Sequence, residues 1–376
     1  MGYDFEDIRS YNDDEYQQKI GDLIAVEPLM NAIQSYFPEL TVDQIESKLR
    51  SFQTCTEFQA DLSCGIVQRI IDTTMESFDW DGVVKLDRNK QYLLISNHRD
   101  IILDSALINY CLNGRNYDFS EIAIGSNLVG QPWVKKLVRL NKSFIVKRNV
   151  PKEEMLEASK TLSAYINYAL HEKRNSIWIA QREGRAKDGN DKTNPALLKM
   201  FGLANEGDLL DYLIGMNITP VSISYELDPC DYLKVPELIQ KSRGETYQKS
   251  PGEDDQHMLL GLQGNKGRVF IRFGQPVNDK VEYLRTIKNR NELLKAFAEE
   301  IDKEVYAHYK LWPTNYIAYD LFTAGTKYAG QYTEGEKAAF VNYMDQRLAQ
   351  LPADEQNKHF FLSMYANPVI NKEQSA

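Results

Sequence analysis

The chain has 376 residues, of which 43% are hydrophobic and 26% are charged, a composition typical of a soluble globular protein with ample length for a core. Its net charge of −10 argues against nucleic acid as the main partner, and no run of about 18 apolar residues, the length that a transmembrane helix needs, occurs in it. The four cysteines show neither the close pairing of metal sites nor the density of a disulfide framework. The acidic N-terminus lacks the apolar core of a signal peptide, so we expect a reduced cytoplasmic protein whose contact with a membrane, if any, is peripheral at the inner membrane surface.

Residues 14–80 show the 3.6-residue hydrophobic rhythm of helices. The pattern predicts a first helix that ends before Pro38, a second that begins at Thr41 with a polar cap, and a third that contains Leu62 and Ile66. We interpret residues 1–82 as a small N-terminal helical domain, a bundle whose apolar stripes form its own core.

From residue 88 onward, short apolar strands alternate with helices, which is the order of an α/β domain with a largely parallel sheet. Strands are predicted at residues 91–96, 121–125, 143–147, 176–180, 218–225 and 267–274. Helices are predicted at residues 103–113, 131–140, 152–171 and 195–203, followed by a long charged helix at 281–311. The predicted fold class is therefore α/β, with a largely parallel mixed sheet and covering helices in residues 83–312 and a C-terminal helical extension in residues 313–376.

The connection between the strand at 91–96 and the next helix contains a histidine and two aspartates, His98, Asp100 and Asp104. Folds with parallel strands and covering helices bind ligands beyond the carboxyl ends of the strands. Imidazole is the usual general base near neutral pH, provided that a neighbouring group such as an aspartate fixes its orientation. In a regular helix, a separation of six residues places side chains roughly 120° apart and about 9 Å along the axis. His98 can therefore meet Asp104 only from a turn that precedes the helix.

The same three residues also have an interpretation without catalysis. Asp100 would be the N-cap of the helix, Asp104 would be an acid of the first turn that the helix dipole favours, and His98 would bond to a loop carbonyl. The residues of this stretch alone leave both interpretations open.

Two further stretches place cations at the ends of predicted strands. One strand ends in Lys147 and Arg148, which share a sheet edge with His98 if the strands are parallel. Another strand runs into a loop that contains Arg182, Glu183, Gly184, Arg185 and Lys187. Arginine forks match phosphate oxygens, and glycine lets backbone N–H groups approach an anion. We expect an anionic ligand at this edge, and the alternative is an ordinary solvated surface.

The order of these stretches resembles the four successive motif blocks of the glycerophosphate acyltransferase superfamily. The matching residues are Asn97-His98 with Asp104, Lys147-Arg148, Glu183-Gly184-Arg185, and Thr219-Pro220-Val221 with Tyr225-Glu226. The resemblance spans about residues 91–277, and Tyr225-Glu226 is more like the glycerol-3-phosphate branch than the lysophosphatidate branch. A helical bundle ahead of the catalytic domain is similar to the soluble plastid-type members.

The resemblance implies an O-acyltransferase of phospholipid biosynthesis, with His98 as general base and Asp104 as its orienting acid. A fatty acyl group would pass from an acyl thioester, either acyl-CoA or acyl carrier protein, to a hydroxyl of glycerol-3-phosphate or a related lysophospholipid. No metal and no cofactor would be required. The sequence contains no Gly-Xaa-Ser-Xaa-Gly elbow, which disfavours a hydrolase with a catalytic triad.

The resemblance also implies the residues that bind substrate. Arg148 and Arg185 would contact phosphate, Glu183-Gly184 would form part of the substrate loop, and Lys147 and Lys187 would add positive charge to the same site.

The chain departs from the family motif in the loop at residues 181–185, which reads Gln-Arg-Glu-Gly-Arg where a proline or a second glycine is usual near the glutamate, and in the spacing of histidine and aspartate. The family has four residues between histidine and aspartate, whereas His98 and Asp104 have five between them. Either the turn absorbs the extra residue, or Asp100 takes the orienting role, or the site is altered. The last possibility motivates an alternative function, a catalytically silent member that binds an anionic lipid or an acyl carrier through its cationic edge.

Overall fold

The computed structural model describes residues 3–375, and its centre is a seven-stranded sheet with helices on both faces. The strands are β1 Ser77–Asp81, β2 Leu93–Ser96, β3 Glu121–Gly125, β4 Ser143–Val146, β5 Ile177–Ala180, β6 Ile218–Tyr225 and β7 Arg268–Phe273. Their order is β1-β7-β6-β2-β5-β3-β4, and every neighbouring pair is parallel except β6 and β7. This arrangement confirms the predicted fold class. The sequence pattern predicts helices up to residue 80, and this prediction is wrong where the chain forms strand β1.

The residues before the sheet fold into helices that pack around their own apolar cluster. They are α1 Tyr16–Ile24, α2 Glu27–Tyr36, α3 Val42–Ser51, α4 Cys55–Phe58 and α5 Cys64–Thr74, with a π-helical segment at Gln59–Ser63. Thr41 caps α3, because its side chain accepts from the backbone N–H of Gln44 while the Gln44 side chain accepts from Thr41. The single helix predicted before Pro38 is two helices, and Pro28 lies in the first turn of the second.

Nine helices follow between β2 and the C-terminal region. They are α6 Leu103–Asn113, α7 Pro132–Leu140, α8 Lys152–His171, α9 Pro195–Phe201, α10 Leu209–Gly215, α11 Asp231–Ser242, α12 Glu253–Gln263, α13 Asn278–Val281 and α14 Arg290–Ala307. The four helices predicted between residues 103 and 203 are confirmed. The long helix predicted at 281–311 is wrong in its first part, where a 3-10 segment at Glu282–Thr286 precedes α14. Asn289 caps α14 by accepting from two backbone N–H groups.

Three helices make up the C-terminal region, α15 Pro313–Phe322, α16 Glu334–Leu348 and α17 Asn357–Ser375. They pack against α11 through an apolar cluster, and Asp231 of α11 is fully buried among them. Its carboxylate accepts hydrogen bonds from Tyr343, Arg347 and Tyr365. No helix within residues 3–375 has the length and apolar character that a membrane crossing requires. The division of the chain into units at residues 82 and 312 stays a prediction.

Side chains at alternate positions of β2 fill two apolar clusters on opposite faces of the sheet. Leu93 and Ile95 face the cluster that contains residues of α8 and α14, and Leu94 faces the cluster that contains residues of α5 and α6. Because both faces are covered, the strand is an apolar run without polar alternation. Truncation of a core leucine such as Leu94 to alanine costs about 2–5 kcal/mol in comparable cores. The packed sheet therefore fixes the positions of the residues that follow its strands.

Candidate active site

The turn between β2 and α6 is anchored to the neighbouring strand by Asn97. The Asn97 side-chain Nδ2 donates to the carbonyl of Ile223 at 2.9 Å, and its Oδ1 accepts from the Ile223 N–H at 2.8 Å. The side chain is fully buried. It thereby extends the pairing of β2 and β6 by one residue and fixes the start of the turn.

His98 lies in this turn and contacts Asp104 of α6. Its Nδ1 lies 2.7 Å from Asp104 Oδ2, and the Asp104 side chain is fully buried. The same oxygen accepts from the backbone N–H groups of Arg99 at 2.6 Å and of Asp100 at 3.0 Å. The turn thus folds back around the carboxylate, and this is how five intervening residues still leave the two side chains in contact.

The contact with Asp104 determines which nitrogen of His98 is available. Nδ1 carries a proton when it donates to a carboxylate, so the neutral ring has its lone pair on Nε2. The His98 side chain is 14% exposed, and its Nε2 has no hydrogen-bond partner among residues 3–375. The Trp178 ring packs edge-on at a centroid distance of 5.7 Å and restricts the imidazole. A base that is held on one side and open on the other can take a proton from a bound hydroxyl.

The second oxygen of Asp104 is bonded to Tyr225, the last residue of β6. The Tyr225 hydroxyl donates to Asp104 Oδ1 at 3.0 Å. Burial, and then the nearby Asp104 carboxylate, raise the pKa of Tyr225 well above its usual value, so the phenol stays protonated and remains a donor. All the hydrogen bonds to Asp104 therefore come from neutral donors, and its charge remains available to His98.

Asp100 contacts the helix rather than His98. Its Oδ1 accepts from the backbone N–H groups of Ile102 at 2.9 Å and Leu103 at 2.8 Å, which is the role of an N-cap. Burial, and then the charge of Asp104, raise the pKa of Asp100 above its usual value. Of the two candidate acids, only Asp104 touches His98.

Arg99 ties the turn to the loop after β5. Its guanidinium donates to both oxygens of buried Asp191 at 2.8 and 2.5 Å, and to the Ala186 carbonyl at 3.1 Å. The Ala186 N–H donates in turn to the His98 carbonyl at 3.1 Å, and the Tyr309 hydroxyl donates to Asp191. No local sequence pattern predicts the contacts of Arg99, Asp191 and Tyr309, because they join residues far apart in the chain.

Lys147 and Arg148 lie at the same sheet edge as His98, but at a distance. They follow β4, an edge strand three positions from β2, which corresponds to roughly 14 Å across the sheet. Arg148 Nη1 pairs with Glu183 Oε2 at 2.9 Å, and exposed Lys147 Nζ lies 3.4 Å from Asp7. Gly184 has a φ of +71°, a conformation that glycine adopts without strain.

Arg185 and Lys187 differ in how their charges are compensated. Lys187 pairs with Glu237, and burial lowers its pKa. Buried Arg185 donates from Nη2 to His257 Nδ1 at 2.6 Å. Burial, and then the charge of Arg185, lower the pKa of His257 to about 4, so this histidine is a neutral acceptor at pH 7. No carboxylate within residues 3–375 forms an ion pair with Arg185, although its charge lies close enough to Asp100 and Asp228 to favour their ionised forms.

Helix α12, which the sequence analysis missed, packs on the turn through one face. His257 contacts Arg185, and four residues later Gly261 lies against Asp100. A Cβ built at Gly261 would lie 2.1 Å from Asp100 Oδ2, so only glycine fits. The run Glu253, Asp254 and Asp255 in the first turn is typical of a helix N-terminus and could have identified α12.

A small cleft of about 40 Å³ lies beside the turn. One wall comes from Arg99, Lys187 and Tyr225, and the other from Lys310, which precedes α15, and from residues of the C-terminal region that include Tyr365. No sequence motif predicts that the C-terminal region contributes to this cleft.

Comparisons with known proteins support one family. A family model described as acyltransferase matches residues 78–224, a segment that begins in β1 and ends in β6 and contains His98, Asp104 and the loop after β5. No curated protein matches the chain. Among solved structures, the chain is similar to the 1-acyl-sn-glycerophosphate (LPA) acyltransferase PlsC from Thermotoga maritima, at 14% identity and a TM-score of 0.34. That match covers 76% of this chain and 93% of the other.

Proposed function

We propose that the chain transfers a fatty acyl group from an acyl thioester to a hydroxyl of glycerol-3-phosphate or a related lysophospholipid, because residues 78–224 match a family model described as acyltransferase. The observation that carries this proposal is the 2.7 Å contact between His98 Nδ1 and buried Asp104, which leaves Nε2 open. The donor, acyl-CoA or acyl carrier protein, and the acceptor are parts of the proposal. The absence of a metal and a cofactor, and a peripheral membrane location, stay predictions.

The proposed reaction proceeds by direct transfer. His98 Nε2 removes the proton from the acceptor hydroxyl while its oxygen attacks the thioester carbonyl, and a tetrahedral intermediate forms. Collapse of that intermediate breaks the carbon–sulfur bond and expels the thiolate, a good leaving group because thiol pKa values lie near ~8.5. The imidazolium returns its proton to the sulfur. Asp104 stabilises the imidazolium and keeps the ring oriented, as carboxylates do in other acyl-transfer sites.

Among the predicted phosphate contacts, Arg185 has the strongest support, because its guanidinium pairs with neutral His257 and with no carboxylate in the described chain. Arg148 would have to exchange Glu183 for a phosphate, and Lys187 would have to share its charge with Glu237. We propose Arg185 as the principal contact and the other cations, including Lys147, as contributors to the local positive field.

The catalytically silent alternative has less support. It was motivated by the five residues between His98 and Asp104, and the turn brings the two side chains into contact despite that spacing. A binding module would need the cations but would not need a histidine that is oriented by a buried carboxylate.

The test is acceptor-dependent thiol release from acyl-CoA and from acyl carrier protein, with glycerol-3-phosphate and lysophosphatidate as acceptors. We expect His98→Ala to reduce release by about 10²–10⁴-fold, the usual contribution of a general base. His98→Gln serves as the matched variant, because it keeps a polar side chain and loses the base. Equal release by the wild type and both variants would exclude His98 as the base. Binding of anionic lipid without any turnover would favour the silent alternative.

A further inference from the structure

His98 and Asp104 do not line the cleft beside the turn, but three of the residues that line it are linked to them. Arg99 in its wall follows His98, Ala186 donates to the His98 carbonyl at 3.1 Å, and Tyr225 donates to Asp104 at 3.0 Å. Its volume of about 40 Å³ corresponds to about three water molecules. A space of this size is too small for an acyl chain, and its lining includes the cations Arg99, Lys187 and Lys310.

Most charges in the cleft wall are compensated within the protein. Arg99 is paired with Asp191, and Lys187 with Glu237. The one carboxylate of the wall, Asp228, is paired with Lys234. Lys310 differs, because it is exposed and forms no ion pair within residues 3–375. The wall therefore carries an uncompensated positive charge at Lys310.

Contacts with β6 hold Lys310 in place. Its backbone N–H donates to Ser224 Oγ at 3.1 Å, next to Tyr225. The Lys310 Nζ lies 5.6 Å from the centroid of the Trp312 ring, and Trp312 Nε1 donates to the Ser224 carbonyl at 3.3 Å. A cation packed against an aromatic face loses less freedom when it binds a ligand than a mobile surface lysine does.

We propose that Lys310 binds a phosphoryl group of a substrate in this cleft and contributes to substrate selection. The inference rests on the proposed function and deepens it, because it assigns recognition to a residue outside the 78–224 segment that matches the family. The phosphoryl group belongs either to the acceptor or to the phosphopantetheine-bearing donor. Both sources present the same anionic oxygens to a lysine.

The experiment compares Lys310→Met and Lys310→Arg with Lys288→Met. Lys288 is also exposed and without an ion pair in the described chain, and it precedes α14, whose 18 residues span roughly 27 Å. We expect Lys310→Met to raise one substrate KM about tenfold, the loss of a single charged contact, with kcat within about twofold. Lys310→Arg should restore most of that loss, and Lys288→Met should behave as wild type.

The choice of substrate separates the two sources. A raised KM for glycerol-3-phosphate assigns the contact to the acceptor. A raised KM for acyl-CoA that disappears with an acyl-pantetheine lacking phosphate assigns it to the donor. Unchanged KM values for both substrates in Lys310→Met, with activity intact, would overturn the inference and leave the proposed function standing.

A calorimetric titration with glycerol-3-phosphate and with coenzyme A covers the case in which the proposed function fails. If the wild type shows no turnover, binding that weakens about tenfold in Lys310→Met and not in Lys288→Met still supports a phosphoryl site. Equal binding by all the variants, or no binding by the wild type, would contradict it.

Discussion

Gly261→Ala isolates the contact between α12 and the His98 turn. A Cβ at this position would lie 2.1 Å from Asp100 Oδ2, and nonbonded carbon and oxygen atoms do not approach so closely. Either the Asp100 carboxylate or the helix must move by about 1 Å or more to restore van der Waals contact. Gly21→Ala is the matched control, because Gly21 also lies within a helix, α1, and has nothing within 4 Å of its added Cβ.

The two substitutions should have opposite effects on stability. Alanine is favoured over glycine in a helix by about 1 kcal/mol, so Gly21→Ala should stabilise the protein by up to that amount. At residue 261 alanine has the same advantage in helix propensity, but it displaces Asp100. Loss of the hydrogen bonds from the backbone N–H groups of Ile102 and Leu103 to Asp100 costs about 1–2 kcal/mol and offsets that advantage. We expect a difference of about 1–2 kcal/mol between the variants, with the thermal midpoint of Gly261→Ala the lower.

The effect on activity should be larger than the effect on stability. The Asp100 N–H donates to the same Asp104 oxygen as His98, so displacement of Asp100 moves the proposed base and its orienting acid. A misplacement of about 1 Å in an active site can reduce the rate about 10²-fold. Thermal unfolding and thiol release measured on both variants test this reasoning. If the two variants raise the thermal midpoint equally and both retain the wild-type kcat, a side chain at residue 261 does not displace Asp100.

Four other substitutions test the site. Asp104→Asn should reduce kcat by about 10²–10⁴-fold. Asp100→Asn should keep most of the activity and lower the free energy of unfolding by about 1 kcal/mol. If thiol release instead falls in Asp100→Asn and persists in Asp104→Asn, the roles of the two acids are exchanged. Tyr225→Phe removes one hydrogen bond to Asp104 and should lower the free energy of unfolding by about 1 kcal/mol. The thermal midpoint measures this loss, and an unchanged midpoint would mean that the bond contributes nothing to stability. The pKa of His257 is lowered to about 4 by burial and then by Arg185, so the unfolded chain binds the extra proton first, and stability falls as the pH drops from about 6.5 towards 4. In His257→Asn the stability should fall less over this pH range than in the wild type. Thermal unfolding of both proteins at pH 7 and pH 5 tests this, and an equal fall in their midpoints would show that His257 is not a buried neutral group.

The sequence predicted the centre of the sheet well because burial on both faces leaves a clear signal. Leu93–Ser96 and Ile177–Ala180 are short apolar runs, and the bounds of α6 agree with its apolar pattern. Edge strand β1 was missed because Phe78 and Trp80 alternate with polar residues directly after a helical stretch. Helix α11 was missed as well, and it contains Pro236, which weakens a helical pattern.

The site was only partly predictable for a different reason. His98 and Asp104 lie in one turn, so local spacing could suggest both. The contacts of Asp104 with Tyr225 and of Arg99 with Asp191 join residues that are distant in sequence, and no local periodicity encodes them. Glycine at 261 likewise has a reason only in the folded state, where Asp100 occupies the space of its missing side chain.

The position of α17 in the cleft wall has a consequence for biosynthesis. Tyr365 and Pro368 line the cleft, yet they follow Tyr225 by about 140 residues, which corresponds to roughly 10–30 s of translation at typical rates. The turn that contains His98 and the central strands leave the ribosome well before the helix that closes the wall. A nascent chain released early would contain His98 and Asp104 without a complete cleft. The wall of the cleft is therefore completed last, when the C-terminal helices dock on α11 through buried Asp231.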